Sequence, residues 1–208
     1  MTGLRTHRTM AEAGGSNPAW GFTLVEVLIV VVVLGIAGAL VIPSMSQTGV
    51  LRIQAAVRTM IADITYAQGE AMAFQARRAI WFGKVPRWDA SSKAWEFVDG
   101  NGYTMAEVTG PTLNLTVNAM MDPDNLSRPL GRDFDDARFG GAVISSPVFN
   151  GAALLIYDEL GGTVADLDGP NPGTGGSVIV SGSGAVFRVD VQAYTGKVTV
   201  TKTQDIAH

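Results

Sequence analysis

The stretch Gly21-Phe22-Thr23-Leu24-Val25-Glu26, with the apolar run that follows it to Ile42, decides how the rest of the chain is read. Past Glu26 the run carries no charge, and only Gly35 and Gly38 interrupt its apolarity. A helix rises 1.5 Å per residue, so about 20 apolar residues span a hydrocarbon core. A lone carboxylate near the start of such a run is costly, about 2.5–3.5 kcal/mol at the centre of a bilayer, and calls for a partner or a task. Upstream, Arg5 and Arg8 favour retention of the N-terminus in the cytoplasm. Residues 13–18, Ala-Gly-Gly-Ser-Asn-Pro, have neither helical nor strand period, and residues 1–21 read as a leader outside the fold.

Composition limits the possibilities. The chain has 208 residues, enough for one anchored domain with a core but short for two independent ones. It has no cysteine, which excludes disulfides, thiolate metal sites and cysteine nucleophiles. The net charge is −4; residues 1–21 hold Arg5, Arg8 and Glu12, so the remainder carries −5. A domain of that sign is not drawn toward nucleic acid. The basic residues of the last strands, Arg188, Lys197 and Lys202, are sparse and offset by Asp190 and Asp205, so no nucleic-acid partner is expected.

Three readings of the apolar run compete. An ordinary secretory signal could end at Ala37-Gly38-Ala39, but the run continues past that point. A plain single-span anchor fits the length and leaves Glu26 without a role. The third reading is a resemblance: the hexapeptide and its apolar helix resemble the class III signal of type IV pilins and type II secretion pseudopilins. That resemblance implies cleavage after Gly21 by a prepilin peptidase, N-methylation of Phe22, and assembly through residues 22–42 with Glu26 and a kink-forming Pro43. It also implies an inner-membrane assembly platform and other pilins or pseudopilins as partners. The resulting address is single-pass in the inner membrane, with the C-terminal domain periplasmic. Physically, a Phe22 ammonium and the Glu26 carboxylate of a neighbouring subunit would each be costly near lipid, and together they favour one axial register. The alternative for Glu26 is a carboxylate reaching back to the headgroups.

Beyond Pro43 the pattern turns amphipathic. Val57, Met60, Ile61, Ile64, Ala67, Ala71 and Phe74 follow the three-four spacing of one helix face, with Arg52, Arg58, Asp63 and Glu70 placed off it. Residues 22–75 are therefore expected to form one helix, with residues 76–208 a β-rich domain. Period-two alternation predicts strands around Trp95–Phe97, Leu113–Val117, Phe187–Val191 and Val198–Val200, an antiparallel sheet with one buried face. Asp99-Gly100-Asn101-Gly102 reads as a hairpin turn, and residues 121–141 and 160–176 as exposed loops. The expected class is α+β: a long N-terminal helix packed on an antiparallel β-sandwich.

Further short stretches narrow the resemblance. Ala67-Gln68-Gly69-Glu70-Ala71 is similar to an A-x-S-E-A stretch of the GspH/FimT minor pseudopilins, with Gly69 in place of the usual serine. Leu154-Leu155-Ile156-Tyr157 followed by Gly161-Gly162, and Phe187–Val191 with Thr195-Gly196-Lys197-Val198, resemble the closing strands of that family. Catalytic chemistry finds little support. His7 and His208 are the only histidines, so a histidine base or metal cluster is not expected. Ser183 lacks the nucleophile-elbow context, and residues 173–176 lack the lysine of a phosphate loop. Asp166 and Asp168 are weak calcium candidates, as are Asp122, Asp124 and Asn125, and no cofactor is expected. The sequence thus favours a non-enzymatic filament subunit. Its rival is a singly anchored periplasmic domain that binds calcium or polysaccharide and never polymerises.

Overall fold

A computed structural model describes residues 22–203, with the side chains of 39–48 excepted. The chain divides between Pro43 and Ser44 into two compact units. Helix α1 (Leu24–Phe74) contributes to both. In the second unit its buried stripe is Ile53, Ala56, Val57, Met60, Ile64, Ala67 and Ala71, which follows the expected spacing. Three positions differ. Ile61 is only partly buried against the core. Phe74 is exposed, because it is the last helical residue and lies under the Arg78 guanidinium, 5.6 Å from its ring centre. Asp63, expected off the stripe, is buried within it. The helix ends at Gln75, whose φ of 50° is left-handed, while the Ala76 amide reaches back to the Ala71 carbonyl at 3.2 Å.

The helix is followed by β1 (Arg78–Asp89) and β2 (Ala94–Glu107), which pair antiparallel from Arg78↔Glu107 to Asp89↔Ala94. Their turn is therefore residues 90–93, not the expected Asp99–Gly102. Asp89 closes it by accepting the amides of Ser91 and Ser92 at 3.0 and 2.9 Å; hydrogen bonding from the Ser92 side chain first, and from these two amides after it, holds its carboxyl down to about 2. Gly100 and Gly102 lie inside β2 instead. A Cβ on Gly102 would collide with the Arg132 carbonyl, so this glycine serves a close approach of backbones rather than a turn.

The segment expected to form a strand at 113–117 is a one-turn helix, α2 (Leu115–Asn118). Asn114 caps it: its Oδ1 accepts the Thr116 amide at 3.0 Å, and its own amide donates to Asn118 Oδ1 at 3.1 Å. Local side-chain bonding from asparagine wins over alternation here, and Val117 stands 77% exposed. The expected 121–141 loop is also structured. It holds β3 (Met121–Asp122), β4 (Asn125–Pro129), β5 (Gly131–Asp133) and a short 3-10 turn at Ala137–Phe139. Leu130, Phe134 and Phe139 from this stretch are buried, which is why it folds inward.

The remaining strands are β6 (Val143–Phe149), β7 (Leu154–Tyr157), β8 (Thr163–Val164), β9 (Gly176–Gly182), β10 (Ala185–Val191) and β11 (Val198–Thr203). They complete a five-stranded sheet ordered β5-β2-β1-β7-β8 and a four-stranded sheet ordered β11-β10-β9-β6, beside the β3-β4 ribbon. All ladders between these strands are antiparallel. One core joins the helix stripe to Phe82, Tyr103, Met105 and Leu155 of the first sheet and to Val178, Val180, Phe187 and Val189 of the second. The class is α+β, as expected: a helix on two antiparallel sheets. A smaller cluster, with Ala79, Ile156 and Val164 at its centre, covers the other face of the first sheet.

Candidate functional site

At the start of α1 the chain assembles a helix cap. The Thr23 carbonyl accepts the Val27 amide at 3.2 Å, and its Oγ1 accepts the Glu26 amide, also at 3.2 Å. Thr23 is thus the N-cap and Glu26 the third helical residue, the Thr-x-x-Glu pattern of a capping box. This gives Glu26 a local reason to stand where it does: a carboxylate in the first turn meets the positive end of the helix dipole. The sequence reading had missed that role. Glu26 and Phe22 are both exposed, and among the described residues no basic side chain pairs with the carboxylate.

Around and after Glu26 the helix is apolar on every side. Each large apolar residue from Phe22 to Ile36 is between 51% and 83% exposed. A helix apolar all round belongs inside something, either lipid or other helices. Four consecutive valines, Val30–Val33, stiffen the surface, because each holds one preferred rotamer in a helix. Among the described residues no helix is long and apolar enough to cross a membrane. The side-chain description of this run ends at Gly38, whereas the expected span extends to Ile42. Gly21, the expected cleavage point, and the side chain of Pro43 lie outside the described residues.

In the second unit one polar cluster is buried against the core. Asp63 Oδ2 accepts the Tyr103 hydroxyl and Arg132 Nε, both at 2.7 Å, and Oδ1 accepts an Arg132 terminal nitrogen at 3.1 Å. The two-point contact suits guanidinium and carboxylate planes. Burial and the adjacent carboxylate push the Tyr103 hydroxyl well above its ordinary value, and the Asp63 carboxylate holds Arg132 still more firmly protonated. The cluster ties helix, first sheet and β5 together, and no residue in it is placed to act as a nucleophile or base. Its sequence signal was spacing: Asp63 lies three residues after Met60 and four before Ala67, inside the stripe.

The calcium candidates fall in a loop that already surrounds a cation. Arg77 donates to the carbonyls of Asp166 (3.1 Å), Leu167 (2.9 Å) and Gly169 (2.9 Å), while Asp166 Oδ2 accepts from Asn171 at 2.6 Å. Asp168 is exposed beside them. At the Asp122/Asp124 cluster, Asp122 Oδ1 accepts the Asp124 amide at 3.0 Å. Among the described residues no three acidic or histidine side chains converge on a metal position.

Helix, capped apolar end and two-sheet domain together define an α+β protein with one long N-terminal helix. Neither a family model nor a curated protein matches the chain. Among solved structures it is similar to the crystal structure of the Pseudomonas aeruginosa (strain PAO1) type IV minor pilin FimU. The identity is 16%, the match covers 74% of this chain and 99% of that chain, and the TM-score is 0.39.

Proposed function

We propose that the chain is a non-enzymatic structural subunit, a minor pilin or pseudopilin. In this reading a prepilin peptidase removes residues 1–21 and Phe22 becomes the methylated N-terminus. The apolar end of α1 anchors the subunit in the inner membrane and then packs among the helices of a type IV pilus or a type II secretion pseudopilus. The observation that carries the proposal is the exposed apolar surface from Phe22 to Ile36, broken by a single carboxylate at the third helical position. Lipid alone accounts for the apolar surface. A neighbouring subunit's terminal ammonium accounts for the carboxylate as well.

Mass spectrometry of the protein from a host with prepilin peptidase is expected to give a mature start at methylated Phe22. A different start, or an intact leader, refutes the processing claim. Glu26→Gln retains a side chain that can complete the capping box but removes the charge. It is expected to insert into the membrane normally and to lose crosslinks to neighbouring subunits through residues 27–38. Unchanged crosslinking would leave Glu26 as a cap alone. If even the native chain never crosslinks to pilin-like partners, it is an anchored domain that does not polymerise.

A further inference from the structure

Two stretches of the chain have the form Asn-x-Ser/Thr with x other than proline: Asn114-Leu115-Thr116 and Asn125-Leu126-Ser127. In that form the asparagine amide nitrogen is a sugar acceptor, and the hydroxyl two residues on is what the transferring enzyme reads. The fold treats the two triplets differently. Asn114 is committed to structure. It caps α2, with Oδ1 on the Thr116 amide at 3.0 Å and its own amide on Asn118 Oδ1 at 3.1 Å. Leu115 is buried, and it lines a groove with Trp81 and Phe97. A transferase could engage this triplet only by unwinding the helix and extracting that leucine.

Asn125 opens β4, directly after the two-residue turn Pro123-Asp124 of the β3-β4 ribbon. Residues 123–127 are all exposed, Leu126 by 77%. Asn125 Oδ1 accepts the Ser127 hydroxyl at 2.7 Å and the Ser127 amide at 3.2 Å. Nδ2 has no hydrogen-bond partner among the described residues. The side chain is thus bent over its own triplet, with the carbonyl end satisfied and the acceptor nitrogen open to solvent. The triplet is also held in place, because Trp95 Nε1 donates to the Ser127 carbonyl at 2.9 Å.

We propose that Asn125 is an N-glycosylation site and that Asn114 is not. The ligand is a glycosyl group activated as a diphosphate ester. The bond from Nδ2 to the anomeric carbon forms as the bond from that carbon to the diphosphate oxygen breaks. Nδ2 gives up one proton, and the diphosphate leaves on its carrier, a lipid or a nucleoside. A sugar there covers Leu126 at the exposed tip of the ribbon. Transfer from a lipid carrier rests on the proposed placement of the β domain outside the cytoplasm, whereas transfer from a nucleotide sugar does not.

The test takes the full chain from the membranes of its own cells and cleaves it before aspartate. This places Asn114 in fragment 99–121 and Asn125 in fragment 124–132. Mass spectrometry is expected to find sugar on 124–132 and none on 99–121. Inhibiting synthesis of the lipid-linked glycan removes the sugar if the donor is the lipid and leaves it if the donor is a nucleotide sugar. The Ser127 hydroxyl bonds only Asn125, so Ser127→Ala is expected to keep the native melting curve and lose the sugar, while Ser127→Thr keeps both. The proposal is overturned by an unmodified 124–132, by sugar on 99–121, or by sugar retained in Ser127→Ala. The N-terminal fragment of the same digest reports whether the chain starts at Phe22, so failure of the proposed processing is read separately.

Discussion

Replacing Asp63 with alanine would leave the Arg132 guanidinium and the Tyr103 hydroxyl facing a small void with no acceptor. Removing one partner of a buried ion pair costs about 3–5 kcal/mol, far more than deleting the pair together. Asp63→Ala is therefore expected to lower the stability of the β domain by about 3 kcal/mol, and Tyr103→Phe by about 1.5 kcal/mol, as measured by denaturant titration. The triple variant Asp63→Leu, Arg132→Met, Tyr103→Phe, which leaves none of the three groups unsatisfied, should recover most of the loss; if it melts like Asp63→Ala, the cluster is not what holds β5 to the helix. The buried hydroxyls set an alkaline limit as well. Burial raises Tyr103 and Tyr157 above the ordinary value of 10, so above that pH the unfolded chain releases protons that the folded chain retains. The contribution of these two hydroxyls is expected to be level up to pH 10 and stability to fall above it, and Tyr157→Phe should reduce the slope of that fall. At the acid end Asp89 acts in the opposite sense: its depressed carboxyl favours the folded hairpin turn above about pH 4, and that contribution is lost as the pH falls toward 2.

At the scale of elements, Gly102 is the position where one added methyl reads out the register between β2 and β5. A Cβ there meets the Arg132 carbonyl and the Val85 side chain at 2.5 Å. Gly102→Ala is expected to cost about 2 kcal/mol, seen as a drop in melting temperature of roughly 4–8 °C. An unchanged melting temperature would mean that β5 is free to shift. The same element shows where reading from the sequence ended. The helix stripe and the strands at Phe187–Val191 and Val198–Val200 were legible, because long periodic segments repeat their signal. The Gly-rich Asp99–Gly102 stretch has the composition of a turn, but Gly100 faces the Val85 side chain of β1 and Gly102 serves backbone contact with a strand some thirty residues away. Alternation at 113–117 was equally persuasive, and Asn114 overrode it through two hydrogen bonds that no period reveals. The acidic loop hid Leu130, Phe134 and Phe139, three isolated apolar residues too widely spaced to form a pattern. Of the candidate site, the apolar run and Glu26 could be read directly. The cap on Glu26 needed the geometry of Thr23, and Asp63 needed a partner that lies 69 residues away in the chain.

For the molecule as a whole, the order of the strands has a consequence for how the chain comes into being. The stripe on α1 leaves the ribosome early, yet Phe187, Val189 and Val191, which cover part of it, are more than a hundred residues downstream. The first sheet is likewise incomplete until β7 pairs with β1, across an interval of about seventy residues. Long-range pairing of this kind is slow, since loop closure must precede the contacts that reward it. During synthesis the nascent chain therefore displays two unsheltered apolar surfaces, the run after Phe22 and the stripe from Ile53 to Ala71. The first has no cover among the described residues of its own chain, and in the proposed function its shelter is lipid or neighbouring subunits. The second must wait for β9 and β10, so a ribosome that stalls before residue 185 releases a product whose helix lacks the cover of Phe187, Val189 and Val191 and is prone to aggregate.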